Sequence, residues 1–487
     1  MIAAHSIDAV MGRGTEKQST NAAPKPTFRR QQTAGDILLT HAYYINLTRN
    51  EKRLMRPYAP LGLLSLAAYL RQEGYRVRVF DTTFQKGIGS FTQYIERHRP
   101  PLVAISVCET TRCNAAAMLR ACNRCGIPVV VGGPDVSSDP ALYLNCGASV
   151  AVVGEGEETM AELLGDFAAW NPAENRGSRA GGARRIDGVF RAGGRFISRR
   201  PIENLDLLPF PARDSIDYPA YLGAWKKRHG VTSMQIIASR GCPVFGAPYR
   251  LRSARSVAEE MLFLKMIYGP DRLWFADDVF GGDAAWVSEF RQEVTCLRAR
   301  MPFECSCRAD LVDDGVLRQL KEAGCFRIWY GVASGSPAML GRMGMQFGIA
   351  DVSRACLLTK KAGIEAGYYL ELGYPDEGVE DVELTRKLIR QTQPDHCRVT
   401  MAHPHKGTAL YRAVEKRLLP VWYADRMEDD RILTFKSAFS QNFYDMARRL
   451  ISQESLVYRS VRAPLTARLK YDMYRIGYGI MRNGAAV

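Results

Sequence analysis

The residues best suited to chemistry are twelve cysteines, two neighbouring aspartates and a pair of histidines near the end of a strand-like run. Thiolates are the natural ligands of iron–sulfur clusters and of structural zinc, so cysteine spacing comes first. Cys242 stands in Ser239-Arg-Gly-Cys-Pro243, just past a β-rich run. Cys305 and Cys307 share one face of an expected strand, and Cys325 opens the next. Buried cysteines of this kind also pack as small apolar residues. Cys122-x2-Cys125 has metal-like spacing, but it lies at a helix end and lacks a second pair. His403 and His405 flank Pro404 and face one way as i and i+2. They would bind a metal with a third ligand, and are otherwise solvated or satisfied in the core. Asp277 and Asp278 end a strand, where they either meet a substrate or cap the loop. Arg308 and Asp310 read as an internal ion pair. Ser334-Gly335-Ser336 is a backbone-rich turn at a strand end, the kind that suits a carboxylate or a ribose.

Two series of strands and helices have to hold these residues. Between 35 and 170, short apolar strands alternate with amphipathic helices, the pattern of a doubly wound, Rossmann-like parallel sheet. Ligands in such folds sit beyond the carboxyl ends of the strands, here the loops after Asp81, Ser106, Gly133 and Gly154. The segment 171–230 reads as a linker with a β-hairpin across Ala192-Gly193-Gly194. The rhythm restarts at 231 and runs to 420 as six βα repeats, a partial (β/α)6 barrel. Ser256 with Glu259 reads as the capping box of its first helix. Residues 1–34 read as a disordered basic tail, and 421–487 as a helical, basic C-terminal region.

A hydrophobic share of 46% supports real cores, and no apolar run is long enough to span a bilayer. Cysteines without an export signal point to reduced thiols and a cytoplasmic setting. The net charge of +15 is spread along the chain with no nucleic-acid motif beside it, so no nucleic-acid partner is expected. The basic, Tyr-rich C-terminus either caps the barrel or rests on an anionic membrane surface.

Ordered motifs between 36 and 415 resemble one family. They are Met55-Arg-Pro-Tyr-Ala-Pro-Leu-Gly-Leu63, Val131-Gly-Gly-Pro134, Val153-Gly-Glu-Gly-Glu-Glu-Thr159, Trp274-Phe-Ala-Asp-Asp-Val-Phe280, Arg308-Ala-Asp310, Gly331-Val-Ala-Ser-Gly-Ser336 and Gly373-Tyr-Pro375. The set resembles class B radical S-adenosylmethionine (SAM) proteins with a cobalamin-binding domain. That resemblance implies three cofactors: cobalamin, SAM and a [4Fe–4S] cluster. It also implies an external electron donor and a small-molecule substrate, with methyltransfer or ring-forming cyclase chemistry. Cobalamin would meet Asp81, Thr82, Ser106, Gly132, Gly133, Gly154, Glu155 and Gly156, and SAM would meet Ser334, Gly335, Ser336, Gly373 and Pro375. Asp277 and Asp278 would lie on the substrate side. The cluster metal would take Cys242 first, within Cys-x3-Cys-x2-Cys. Positions 246 and 249 hold Gly246 and Tyr249 instead, as if a short stretch of the loop had been excised. Ala333 stands where the family commonly has Glu, and no Asp-x-His-x-x-Gly follows the second strand. The alternative to an enzyme is a non-catalytic descendant, or a defective copy, that binds cobalamin, SAM or a partner.

Overall fold

The computed structural model describes residues 36–47, 49–167, 185–242, 248–419, 432–459 and 464–485. The expected tail, the stretch 171–184 and positions 243–247 lie outside them.

The N-terminal sheet contains β1 (Ile37–His41), β2 (Val77–Phe80), β3 (Val103–Ser106), β4 (Val129–Gly132), β5 (Val150–Val152) and β6 (Val189–Phe190). Its order is β2-β1-β3-β4-β5-β6, parallel except where β6 meets β5. Both faces are covered, which explains the unbroken apolar runs. Val103, Ile105, Val129 and Val131 pack on one side with Ala115 and Met118. Ala104, Val130, Val150 and Val152 pack on the other with Leu63, Ala67 and Leu70. The chain leaves β1 outward to β2 and then crosses to β3, which opens a crevice beyond the carboxyl ends.

The expected hairpin at 186–197 forms only in part. Its first arm is β6, which joins the sheet edge against Ala151 and Val152. Its second arm is tied back by the Ile197 carbonyl, which accepts from the Gly188 N–H at 2.8 Å. The open edge of β5 competes successfully for the first arm.

The second sheet contains β7 (Ser233–Ile236), β10 (Arg272–Phe275), β11 (Phe303–Cys307), β12 (Cys325–Ala333), β13 (Glu365–Leu372) and β14 (His396–Met401). These six strands lie side by side in chain order, all parallel, as the six repeats predict. A separate two-stranded antiparallel ladder, β8 (Ser239–Arg240) with β9 (Arg250–Leu251), follows β7. The first helix, Ala254–Ile267, is capped by Ser253, not Ser256: the Ser253 hydroxyl accepts from the Ser256 N–H at 3.1 Å. Ser256 turns its own hydroxyl to Arg252.

Buried charge fastens the flanks. Arg213, from the connector before the barrel, pairs with Glu260 at 2.7 Å, both 1% exposed, and Arg252 meets the other Glu260 oxygen. Glu454 on the Gln441–Arg459 helix is fully buried and takes Arg386 at 2.7 Å and Arg390 at 3.0 Å from the Val379–Thr392 helix. The last helix, Leu465–Ala485, packs through Tyr478 and leaves Leu465, Leu469, Met473, Ile476 and Ile480 exposed. No described helix is long and apolar enough to cross a membrane.

Candidate functional site

At the carboxyl ends of β3, β4 and β5 lies a cavity of about 310 Å³. Ser106, Gly132, Gly133, Gly154, Glu155 and Gly156 line it, with Gly62, Leu63 and Leu66 from the Leu61–Gln72 helix and Arg240 from the second sheet's side. Six of the eight expected cobalamin-contact residues thus share one wall. Gly133 has φ +111, and a Cβ there would stand 2.5 Å from the Val107 carbonyl oxygen, so only glycine lets the two strand-end loops meet.

Asp81 and Thr82 are placed elsewhere. The Asp81 carboxylate accepts from the Tyr221 hydroxyl at 2.7 Å and lies 2.9 Å from His41 Nε2. Burial works to raise the Asp81 carboxyl, but the His41 ring and the Thr83 N–H outweigh it and hold it below the ordinary value. Thr82 is fully buried and donates to the carbonyls of His41 and Tyr43.

The ladder β8–β9 closes the segment around Cys242 and is clamped to the crevice. Glu155 accepts from Arg250 at 2.6 Å and from the Ile202 N–H at 2.7 Å. Arg240 pairs with Glu157 at 2.5 Å. Burial raises the Glu155 carboxyl, yet Arg250, the Ile202 N–H and Arg240 bring it below the ordinary range. Asp277 is 6% exposed and receives the N–H of Ala238 at 3.0 Å and the N–H and hydroxyl of Ser239, both at 2.5 Å. Burial lifts its carboxyl to about 6 against those hydrogen bonds. Asp277 therefore positions the start of the Cys242 segment, whereas Asp278 is exposed.

Cys242 is 6% exposed and lies near Arg308. Arg308 and Asp310 form the expected ion pair, at 2.8 Å. Tyr249 donates to the Val279 carbonyl at 2.8 Å. The sulfurs of Cys307 and Cys325 each lie 4.0 Å from that of Cys305, in the barrel core. Burial holds the Cys305 thiol well above its ordinary value. All three thiols are buried among apolar neighbours, the environment of cysteines that pack as small apolar residues.

Ser334, Gly335 and Ser336 are buried against the Val379–Thr392 helix. The Gly335 N–H donates to Thr385 Oγ1 at 2.9 Å, and Ser336 donates to Asp381 at 2.5 Å while capping a short helix. Ala333 sits at a bulge between β12 and β13 with φ +61, a strained value for a residue with a Cβ. Across the same strand ends, Gly373 turns at φ +83 and donates its N–H to the buried Glu377 carboxyl at 2.7 Å; Pro375 follows, partly exposed.

His403 and His405 gain the third partner that local sequence did not supply. Glu109, just past β3, reaches His403 Nε2 at 3.0 Å and His405 Nδ1 at 2.6 Å. Burial raises the Glu109 carboxyl, but both histidines overcome this and hold it at about 2. Glu109 belongs to the strand-end loop expected to face a ligand; its partners lie 294 and 296 positions away, beyond the reach of any spacing rule.

Comparison with known proteins bears on the N-terminal domain and on the fold. Residues 56–164 match the B12 binding domain family. An uncharacterised methyltransferase of Pyrococcus horikoshii is 27% identical over 410 residues, covering 80% of this chain and 86% of the relative. The radical S-adenosylmethionine methyltransferase TsrM of Kitasatospora setae, solved with cobalamin and a [4Fe–4S] cluster bound, superposes with a TM-score of 0.62 at 20% identity over 78% of each chain. The cobalamin-dependent S-adenosylmethionine radical enzyme OxsB, solved with aqua-cobalamin, gives 0.63 at 15% identity, covering 93% of this chain and 72% of OxsB. The fold is that of cobalamin-dependent radical SAM enzymes, a B12-binding domain followed by a half-barrel of parallel strands.

Proposed function

We propose that this protein is a methyltransferase of the cobalamin-dependent radical SAM type, with cobalamin held in the Gly133–Gly156 crevice. The observation that carries this reading is the crevice itself: glycine-lined, at the carboxyl ends of a doubly wound sheet, and walled by Arg240 from the barrel side. Cobalamin, when bound, supplies a carrier for a methyl group. The chain's own residues hold and orient. Gly132, Gly133, Gly154 and Gly156 allow close backbone approach, and Ser106 offers a hydroxyl. Glu155 and Glu157 fix Arg240 and Arg250, and so fix the Cys242 segment beside the crevice. SAM would lie near Ser334–Ser336 and the Gly373-Tyr-Pro375 turn, with the external electron donor and the substrate outside the chain. Ser334 and Ser336 spend their hydroxyls, and Gly335 its N–H, on the Val379–Thr392 helix, so this turn shapes the SAM side chiefly by being held in place.

One observation favours a second reading, a binding protein without radical chemistry. Gly246 and Tyr249 occupy the second and third cluster positions. Cys242 alone, with Cys305, Cys307 and Cys325 packed in the core, does not fit a cluster that needs three thiolates.

Two measurements separate the readings. Hydroxocobalamin titrated into the full chain should bind saturably near one per chain. Gly62→Phe should abolish this, because a Cβ there meets no atom within 4 Å and the ring beyond it would take up space in the crevice that Gly62 lines. No binding by the wild type would overturn the cobalamin assignment. Anaerobic reconstitution should then be read as iron and sulfide per chain. About four of each, with 5′-deoxyadenosine formed from SAM, supports the enzyme; near zero supports the binding protein.

A further inference from the structure

The Glu109–His403–His405 group lies outside the crevice and outside the Cys242 segment, at the meeting of the carboxyl ends of β3 and β14. We propose that these three side chains form a site for one divalent transition-metal ion, bridging the B12-binding domain and the half-barrel. Among the described residues, this is the only group of three whose ligand atoms all lie within 4.8 Å of one another. Imidazole nitrogen and carboxylate oxygen bind zinc and its neighbours at about 2.0–2.2 Å, which places adjacent donors ~3 Å apart. The two carboxylate–imidazole separations are 3.0 and 2.6 Å.

The donors are also aimed. Each Glu109 oxygen meets a different ring, and the rings are splayed by 63° with centroids 5.0 Å apart. Thr434 Oγ1, 97% buried as a residue, lies 3.4 Å from His403 Nδ1 and so leaves Nε2 to face the carboxylate. Lys406 pairs with Asp139 at 2.6 Å and holds the histidine loop onto the N-terminal domain. Arg112 comes within 4.0 Å of Glu109, but its guanidinium is gripped by Asp135 through two bonds of 2.9 and 2.7 Å. Glu371, on β13, is near enough to both histidines to act on them electrostatically. The His405 side chain is 63% exposed, which leaves one side open to water or to an oxygen donor such as a carboxylate or phosphate. Two histidines and one carboxylate with open positions suit zinc or ferrous iron. This assignment does not depend on the cobalamin reading.

The test uses the full chain, stripped with a chelator and kept free of cobalamin. Zn(II) is titrated calorimetrically, and Co(II) is read by its visible spectrum. One site per chain is expected, without a thiolate charge-transfer band. Glu109→Gln and His403→Ala should each weaken it at least tenfold, by the scale of losing a ligand or its support. Cys305→Ser should leave it unchanged. His405→Gln, at an exposed position, guards against misfolding: its metal-free unfolding midpoint should match the wild type while affinity falls. No uptake, or uptake insensitive to all three ligand substitutions, would overturn the site.

A separate observation lies on the last helix. Leu465, Leu469, Met473, Ile476 and Ile480 are 56–72% exposed, and their spacing of four, four, three and four puts them in one stripe. Arg468 and Lys470 flank it on either side, whereas Arg475 pairs with Asp472 at 3.6 Å and Arg482 reaches Glu383 at 3.8 Å. We infer that this stripe rests on an anionic lipid surface, apolar side inward with Arg468 and Lys470 at the headgroups. Vesicles of phosphatidylcholine with phosphatidylglycerol should co-sediment the protein, and pure phosphatidylcholine should not. Leu469→Glu with Ile476→Glu should remove the binding without moving the unfolding midpoint. No sedimentation, or a dimer in light scattering that the double variant dissolves, would overturn it.

Discussion

Glu377 is the sharpest probe of how the Gly373-Tyr-Pro375 turn is held. Its side chain is fully buried; Oε2 takes the Gly373 N–H at 2.7 Å, and the Tyr444 hydroxyl also acts on the carboxyl. Burial lifts the carboxyl to about 8 from an ordinary 4.5, with Asp381 and Glu371 adding repulsion. The folded chain therefore keeps a proton that the unfolded chain releases. Between about 4.5 and about 8 the native state binds more protons, so stability falls as pH rises through that window and is flat outside it. The gap between those values, at ~1.4 kcal/mol per pH unit, sets a ceiling of ~5 kcal/mol, and relaxation of the turn will lower it. Glu377→Gln keeps the acceptor for Gly373 and removes the titration. Urea unfolding at about pH 5 and about pH 8.5 should show the wild type losing a few kcal/mol relative to the variant. Parallel stability profiles for the two proteins would refute the reasoning.

Other outcomes follow from features already described. Gly335→Ala would place a Cβ 2.4 Å from Thr385 Cα and 2.7 Å from the Leu384 carbonyl oxygen, so a loss of about 3 kcal/mol or more is expected in urea unfolding; less than ~1 would contradict the packing. Glu260→Gln strips the partner from buried Arg213 and Arg252 and should cost ~3–5 kcal/mol, read the same way; a near-neutral result would mean the arginines reach water. Arg250→Ala should leave the barrel folded but speed proteolysis within 241–249, because it removes one of the clamps to Glu155; unchanged cleavage would show that Arg240 suffices.

Both parallel sheets were legible in the sequence, because buried strands between amphipathic helices leave a two-against-3.6 contrast that needs no partner information. Local competition was not. Ser253 and Ser256 are the same residue type three apart, and Arg252 decides between them by occupying the Ser256 hydroxyl. The second arm of the expected hairpin lost its partner to the free edge of β5. Ser106, Gly132, Gly133, Gly154, Glu155 and Gly156 come together because topology gathers the strand-end loops, whereas Asp81 turns to His41 and Tyr221 and Thr82 to the carbonyls of His41 and Tyr43, which no motif links to them. Glu109 was invisible as a partner of His403 and His405, since nothing in a sequence says which of many carboxylates will face a given pair across two domains.

In the β8–β9 ladder, Ser239 is paired with Leu251 and Arg240 with Arg250, and the two arginines are anchored in the neighbouring domain. The position of this ladder is therefore dictated by two carboxylates of another domain: Glu155 and Glu157 act on the barrel's first turn as a template acts on a casting, so substitutions in the N-terminal domain reach the segment that begins at Cys242.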